Sequence, residues 1–258
     1  MAGKLDGRFA LVTGGGGAMG GAQARLFAAE GAAVCVADLF LDKAQNVADE
    51  IGERAMAVQL DVQRADQWAR AVEQAEQKFG PLSILCNNAG ANVRVSFDEQ
   101  TEDMWRMIVD TMLTGSFLGT KAVVPSMRRA GRGVIVNLGS LASIRSGRGS
   151  PAYGAAKHGL VSLTQSTAAS YAEDRIRCVL VSPGHVDTPF IRENTPYSPN
   201  DARTSIDNPD NYQRRLALTP LGRLVTAEDV AKTFLFVVSD DAEMITGSMI
   251  TVDGGAAL

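Results

Sequence analysis

The chain has 258 residues, 45% of them apolar and 21% charged, enough to bury a substantial core without metal or disulfide staples. Its 25 Lys and Arg against 29 Asp and Glu leave a formal charge of −4, which argues against nucleic acid as the main partner. The polar opening Met1–Arg8 lacks the apolar stretch of a secretory signal, and the apolar runs fall short of the roughly 18 residues a membrane helix needs. A cytoplasmic protein with no membrane partner is therefore expected.

The predicted elements alternate along the chain. Strand Phe9–Val12 precedes a helix over Met19–Glu30, strand Ala33–Ala37 a helix over Leu41–Ile51, and strand Ala55–Leu60 a helix over Ala65–Phe79. Strand Leu82–Cys86 precedes a helix over Thr101–Arg129, Val134–Leu138 one over Tyr153–Glu173, and Arg177–Val181 one over Ala227–Ser239. Met249–Val252 is the last strand. The strands read as nearly continuous apolar runs, the pattern of a parallel sheet covered on both faces. Strands alternating with helices then predict right-handed crossovers and a doubly wound α/β sheet. Thr226 with Asp229 three residues on resembles a capping box at the start of the last helix.

One region breaks the rhythm. Thr188–Arg223 carries Pro189, Pro196, Pro199, Pro209 and Pro220 and exceeds an ordinary connection, so it is a functional lid or a disordered excursion. No repeat or linker composition appears, and the reading is one domain over 1–258 with an insertion at about 188–223. Cys35, Cys86 and Cys178 lie in apolar runs without a C-x-x-C pair, as expected of small buried hydrophobes in a reducing compartment. With only His158 and His185 and no Cys/His cluster, no metal site is expected.

Directly after the first strand come Thr13, four glycines (Gly14–Gly17), Ala18, Met19 and Gly20, and then a helix. Glycines at such a turn let the backbone approach a pyrophosphate and aim helix N-terminal amides at it; a merely structural tight turn has the same letters. No Lys-Ser/Thr pair follows, which disfavours a nucleotide-hydrolysing loop. The second strand ends at Asp38, eighteen residues beyond Gly20. A carboxylate there accepts hydrogen bonds from ribose hydroxyls and repels a 2′-phosphate, so NAD is favoured over NADP. A helix-capping role suits Asp38 as well. Asp61-Val62 closes the third strand and reads either as an adenine contact or as a turn.

Ser140 follows the fifth strand, and Tyr153 and Lys157 lie thirteen and seventeen residues beyond it. Four apart, the tyrosine and lysine share a helix face. A phenol with pKa near 10 is a poor proton-transfer group at neutral pH, and a neighbouring ammonium lowers that value. Such a tyrosine can act as general acid or base on a carbonyl/alcohol pair, with Ser140 orienting the same oxygen. The bland reading is an amphipathic helix showing Tyr and Lys to solvent.

Taken together, these segments resemble the short-chain dehydrogenase/reductase family over essentially the whole chain. The resemblance rests on Thr13–Gly20, Asp61-Val62, Asn87-Asn88-Ala89-Gly90, Ser140, Tyr153 with Lys157, Pro183-Gly184-His185-Val186-Asp187-Thr188, and Val252-Asp253-Gly254-Gly255. It implies a single-domain, Rossmann-like seven-stranded parallel sheet in the order 3-2-1-4-5-6-7. It implies NAD(P)-dependent hydride transfer between a small-molecule secondary alcohol and a ketone, with Ser140, Tyr153 and Lys157 as the catalytic set. It further implies that Gly14, Gly17, Ala18, Met19, Gly20, Asp38, Asp61, Val62, Asn88, Ala89, Gly90 and Pro183 line the cofactor. By the same resemblance Lys157 and Tyr153 meet the nicotinamide ribose, Val186 and Thr188 reach the carboxamide, and the protein is a homo-oligomer, a tetramer above all.

Two departures stand out. Ala18 replaces a motif glycine, which is tolerable if its φ stays negative. Met112 occupies the place of an Asn that the family associates with a water relay from the lysine; its side chain lacks the amide, although its carbonyl can still hold a water. The pocket is expected between Asn88–Val95, Ser140–Pro151 and Thr188–Arg223, where Arg94, Arg145 and Arg148 are candidates to grip a carboxylate. His185 is either a substrate contact or a structural histidine, and His158 is read as packing. Competing readings are an NADPH-dependent 3-oxoacyl thioester reductase and a cofactor-binding regulatory protein whose chemistry is lost.

Overall fold

The computed structural model describes residues 3–147 and 149–258. Its strands are β1 (Phe9–Thr13), β2 (Ala33–Asp38), β3 (Ala55–Gln59), β4 (Ile84–Asn87), β5 (Gly133–Leu138), β6 (Ile176–Pro183) and β7 (Met249–Val252). Helices α1 (Ala18–Ala29), α2 (Leu41–Ile51), α3 (Ala65–Phe79), α4 (Glu102–Val109), α5 (Gly115–Ala130) and α6 (Pro151–Tyr171) lie between them. Helices α7 (Pro209–Ala217) and α8 (Ala227–Val238) follow β6. The strands form one seven-stranded sheet ordered β3-β2-β1-β4-β5-β6-β7, every pair parallel. The chain starts in the middle, winds out to β3, and returns across β1 to β4. Ligands bind at such a reversal, beyond the carboxyl ends of the strands.

The apolar runs of the strands are explained by their two faces. Ala10, Val12, Val34, Val36, Val134, Val136 and Val179 pack with Ala24, Phe27, Val47 and Phe234 from α1, α2 and α8. Their sequence neighbours Leu11, Cys35, Leu85, Ile135 and Cys178 pack on the other side with Trp68, Val72, Val123 and Met127 from α3 and α5. Alternation across a strand sends successive side chains to opposite layers, so both must be apolar. The three cysteines are buried and unpaired, and burial pushes the Cys35 and Cys178 thiols up to about 12.

Three features depart from the expected elements. The helix expected over Thr101–Arg129 divides into α4 and α5 around a π-helical turn at Asp110–Thr114. One extra residue in a turn does not disturb an apolar stripe enough to be read from spacing, and such turns recur at functional sites. Within the 29-residue segment Glu102–Ala130 an 18-residue window has a mean hydropathy of 1.2, long and apolar enough by length and composition to cross a membrane; these apolar residues serve the fold, where α5 supplies Val123, Val124 and Met127 to the core beneath the sheet. Finally, Thr188–Arg223 is folded. A short 3-10 turn at Pro189–Ile191 leads to α7, whose Asn208 side chain caps the Asp210 amide. An Asn before a Pro at the first helical position was the available start signal. Arg192 clamps the segment by pairing with Asp187 and Asp207.

Candidate active site

The glycine turn works through its backbone. Gly14 has φ of +60°, and a Cβ there would lie 3.1 Å from the Ala89 Cα. A Cβ on Gly20 would come within 2.3 Å of the Gly14 carbonyl oxygen. Gly17 caps α1 with no side-chain hydrogen bond, so no side chain occupies the first amides of the helix. Ala18 is the first residue of α1 and is absent from the positive-φ residues, so its methyl group is accommodated. Thr13 Oγ1 accepts from the Asn88 and Ala89 amides at 3.0 and 3.1 Å, drawing the Asn88–Gly90 segment against the turn.

The Asp38 carboxylate accepts from the Gly16 amide at 3.0 Å and from the Phe40 amide at 3.1 Å. It faces the same cavity as the glycines, and each oxygen keeps a lone pair for a further donor. Asp61 Oδ1 accepts from the Gln63 amide at 3.0 Å, a turn contact made by a residue that also lines the cavity. Lys43 stands in this wall too, its Nζ 5.0 Å from the Phe40 ring centroid. Nothing in the spacing of the sequence announced it, because α2 brings it back from five residues beyond Asp38.

At the other end, Ser140 caps a short 3-10 turn, its Oγ accepting from the Ala142 amide at 3.2 Å. Tyr153 and Lys157 project from one face of α6, with Nζ 5.4 Å from the phenol ring centroid. Lys157 is almost wholly buried and donates to the Leu138 carbonyl at 2.6 Å. Burial dominates both groups. It raises the phenol, against which the Ser140 hydroxyl and the positive charge of Arg94 pull. It lowers the Lys157 ammonium to about 7. In the protein alone the expected depression of the tyrosine by Lys157 is thus replaced by a rise. The opposing influences are a serine and an arginine rather than Lys157, whose own ammonium burial disfavours.

The remaining candidates separate cleanly. Arg94 donates to Ser198 Oγ at 3.1 Å, Asn200 Oδ1 at 2.9 Å and the Phe190 carbonyl at 3.4 Å. It ties the Asn88–Val95 loop to the folded insertion. Arg145 donates to the Ala256 carbonyl and is not on the cavity wall; Arg148 lies outside the described residues. The His185 ring faces the cavity, and burial, with Arg215 and Arg145 nearby, lowers it to about 4. His158 is exposed rather than packed, its Nδ1 3.1 Å from the Gly154 carbonyl. Met112 sits buried in the π turn, and its carbonyl accepts the Ser116 hydroxyl at 2.6 Å. Among the described residues no cluster suited to a metal occurs.

One cavity of about 700 Å³ unites these groups. Gly14, Gly17, Ala18, Met19, Gly20, Asp38, Asp61, Val62, Asn88, Ala89 and Gly90 line one end. Ser140, Tyr153, Lys157, Pro183, Val186 and Thr188 line the other. The insertion adds Phe190, Tyr197 and Arg215, which the sequence did not single out.

A doubly wound parallel sheet with a glycine cradle at its reversal defines the dinucleotide-binding class of α/β proteins. The family model described as "Enoyl-(Acyl carrier protein) reductase" matches residues 16–257. The cyclohexanol dehydrogenase of Acinetobacter sp. (strain SE19) is 36% identical, over 98% of this chain and 96% of its own. The trans-4-hydroxycyclohexanecarboxylate dehydrogenase of Sinomonas cyclohexanicum is 34% identical, over 96% and 92%. The crystal structure of 3-ketoacyl-(acyl-carrier-protein) reductase from Brucella melitensis complexed with NADH superposes with a TM-score of 0.87 at 30% identity, covering 98% of this chain and 100% of that one. The chain belongs to the short-chain dehydrogenase/reductase family, whose members among these relatives are oxidoreductases acting on CH–OH groups.

Proposed function

We propose that the protein is an NAD-dependent dehydrogenase interconverting a cyclic secondary alcohol and its ketone. The observation that carries this reading is a single cavity with a backbone cradle and a strand-end carboxylate at one end and Ser140, Tyr153 and Lys157 at the other. The ring-alcohol names of two relatives support the substrate class. Gly14–Gly20, Asn88–Gly90 and Asp38 would hold the dinucleotide, with Val186 and Thr188 beside its reactive ring. Bound NAD supplies the hydride acceptor.

The chain's own residues then handle the proton. Ser140 and Tyr153 hold the substrate oxygen, and Tyr153 takes its proton as the carbon loses hydride; in reduction the phenol returns it. The proton acceptor is the phenolate, and a pKa raised by burial leaves little of it near neutral pH, so positive charge must assist. Arg94 is fixed for that purpose by its hydrogen bonds, and Lys157 adds its charge when protonated. Asp38 favours NAD, because a 2′-phosphate would meet its carboxylate. Lys43 in the same wall is the feature that speaks for NADPH and the thioester reductase reading. Initial rates with the two cofactors separate these readings. A homotetramer is the expected assembly, measurable by light scattering.

The direct test is hydride transfer from cyclohexanol to NAD, followed by nicotinamide absorbance. Tyr153→Phe should lower turnover by about 10²–10⁴-fold while NADH still binds. Turnover that survives this substitution would remove Tyr153 from the chemistry, and absence of transfer in the unsubstituted protein from both cyclohexanol and 4-hydroxycyclohexanecarboxylate would favour a regulatory role.

A further inference from the structure

Arg215 is the cation at the substrate end whose hydrogen bonding is incomplete. It projects from the last turn of α7 into the cavity wall, where Nη2 donates to the Thr204 carbonyl at 3.1 Å. Its Nη1 is buried and has no hydrogen-bond partner among the described residues. A buried donor without an acceptor is costly, more so when charged. Capping α7 explains a cation in its last turn, but not a side chain turned inward with one nitrogen unsatisfied. Arg215 forms no ion pair with a described residue, and Glu193, the carboxylate of this part of the wall, is exposed. Arg94 offers the contrast, because both of its terminal nitrogens are consumed by the insertion.

The location of Arg215 is fixed by its neighbours. Its charge acts on His185 and on Arg94, and the charge of Arg94 acts in turn on Tyr153. Arg94, Tyr153, His185 and Arg215 all line the one cavity. His185, lowered to about 4 by burial and by this charge, is neutral at pH 7 and adds no competing positive charge. Asp38 and Asp61 also line the cavity, at its nucleotide end.

We infer that Arg215 is a specificity-determining residue that receives an anionic group, a carboxylate, carried on the far side of the substrate from its carbinol carbon. The inference rests on the dehydrogenase reading of the same site and narrows its substrate to hydroxy- or oxo-acids. A guanidinium nitrogen free to donate gives a carboxylate a charge-assisted hydrogen bond that neither a carboxamide nor a hydrocarbon ring replaces.

The experiment measures binding rather than turnover, so that it stands apart from the catalytic reading. Calorimetry on the full chain with NADH present compares cyclohexanecarboxylate with cyclohexanecarboxamide. The unsubstituted protein should prefer the carboxylate by about ten- to hundredfold, the worth of a hydrogen bond to a charged group. Arg215→Met should abolish that ratio, and Arg215→Lys should keep part of it. Because the readout is a ratio within each variant, a general loosening of α7 cancels. Equal affinity for the two ligands, or a preference that persists in Arg215→Met, overturns the inference. If the preference is present but no alcohol is oxidised, the anion site stands and the dehydrogenase reading fails.

Discussion

The two ends of the cavity are built from different materials. The end proposed for the nucleotide is made of backbone and of residues that sit where strands stop: the Gly14–Gly20 turn after β1, Asp38 at the end of β2, Asp61 after β3 and Asn88 after β4. The end proposed for the substrate is made of side chains gathered from α6, the loop around Arg94, and the folded insertion with its α7. The first end tolerates few changes of backbone, since a Cβ on Gly20 would strike the Gly14 carbonyl at 2.3 Å. The second is adjustable one side chain at a time, which is how one fold serves many substrates.

The sharpest way to break this contrast is to make a side chain decisive at the nucleotide end. Asp38→Asn removes the charge and leaves one oxygen, which can accept from the Gly16 amide or the Phe40 amide but not from both, since the carboxylate gives each its own oxygen. NAD affinity should fall by about ten- to hundredfold and the discrimination against NADP should narrow, as titration of nicotinamide binding would measure. If NAD affinity is unchanged, the carboxylate is only a turn cap and the nucleotide end is backbone alone.

Lys157 stands where the two ends meet, and its burial gives a pH signature. The folded protein holds its ammonium at about 7 against 10.5 for the free side chain. Between those values the unfolded chain binds a proton that the fold has released, so this group's contribution to stability rises with pH through that window. Below about 7 the contribution is at its least favourable. Lys157→Met lacks the titration. The difference in unfolding free energy, unsubstituted protein minus variant, should therefore climb from pH 7 towards 10; a flat difference would show that the lysine keeps its ordinary affinity for protons.

The same contrast explains what could be read from the sequence. Strand–helix alternation gave the sheet, because both faces of every inner strand are covered and the apolar runs have no other use. Gly14, Asp38, Tyr153 and Lys157 were legible because each is tied to a strand end or to a helical spacing of four. Arg215 and Lys43 were not, since each reaches the cavity by packing of a helix whose own letters carry no trace of the destination. The π turn at Asp110–Thr114 was hidden for a related reason: it changes the number of residues in one turn without changing which residues are apolar. Arg94 was noticed, but its hydrogen bonds to Ser198 and Asn200 depend on an insertion whose path was unreadable.

The smallest expected effect falls at Met112, within that π turn. The side chain is 1% exposed and packs with Ala91, Val93, Ile108, Ala152 and Ala156, while its carbonyl already accepts the Ser116 hydroxyl. A carbonyl has a second lone pair, so a relay water can still be held there, and turnover should persist with methionine in place. Met112→Asn puts an amide among apolar neighbours, and should cost about 1–3 kcal/mol of stability, read as a lower midpoint of denaturant unfolding. It should also shift the pH profile of kcat, because an amide on the wall of the cavity that Lys157 also lines adds a donor and an acceptor. An unchanged profile with lowered stability would mean that protons leave Lys157 by another route, and that Met112 belongs to the packing of the substrate end rather than to its chemistry.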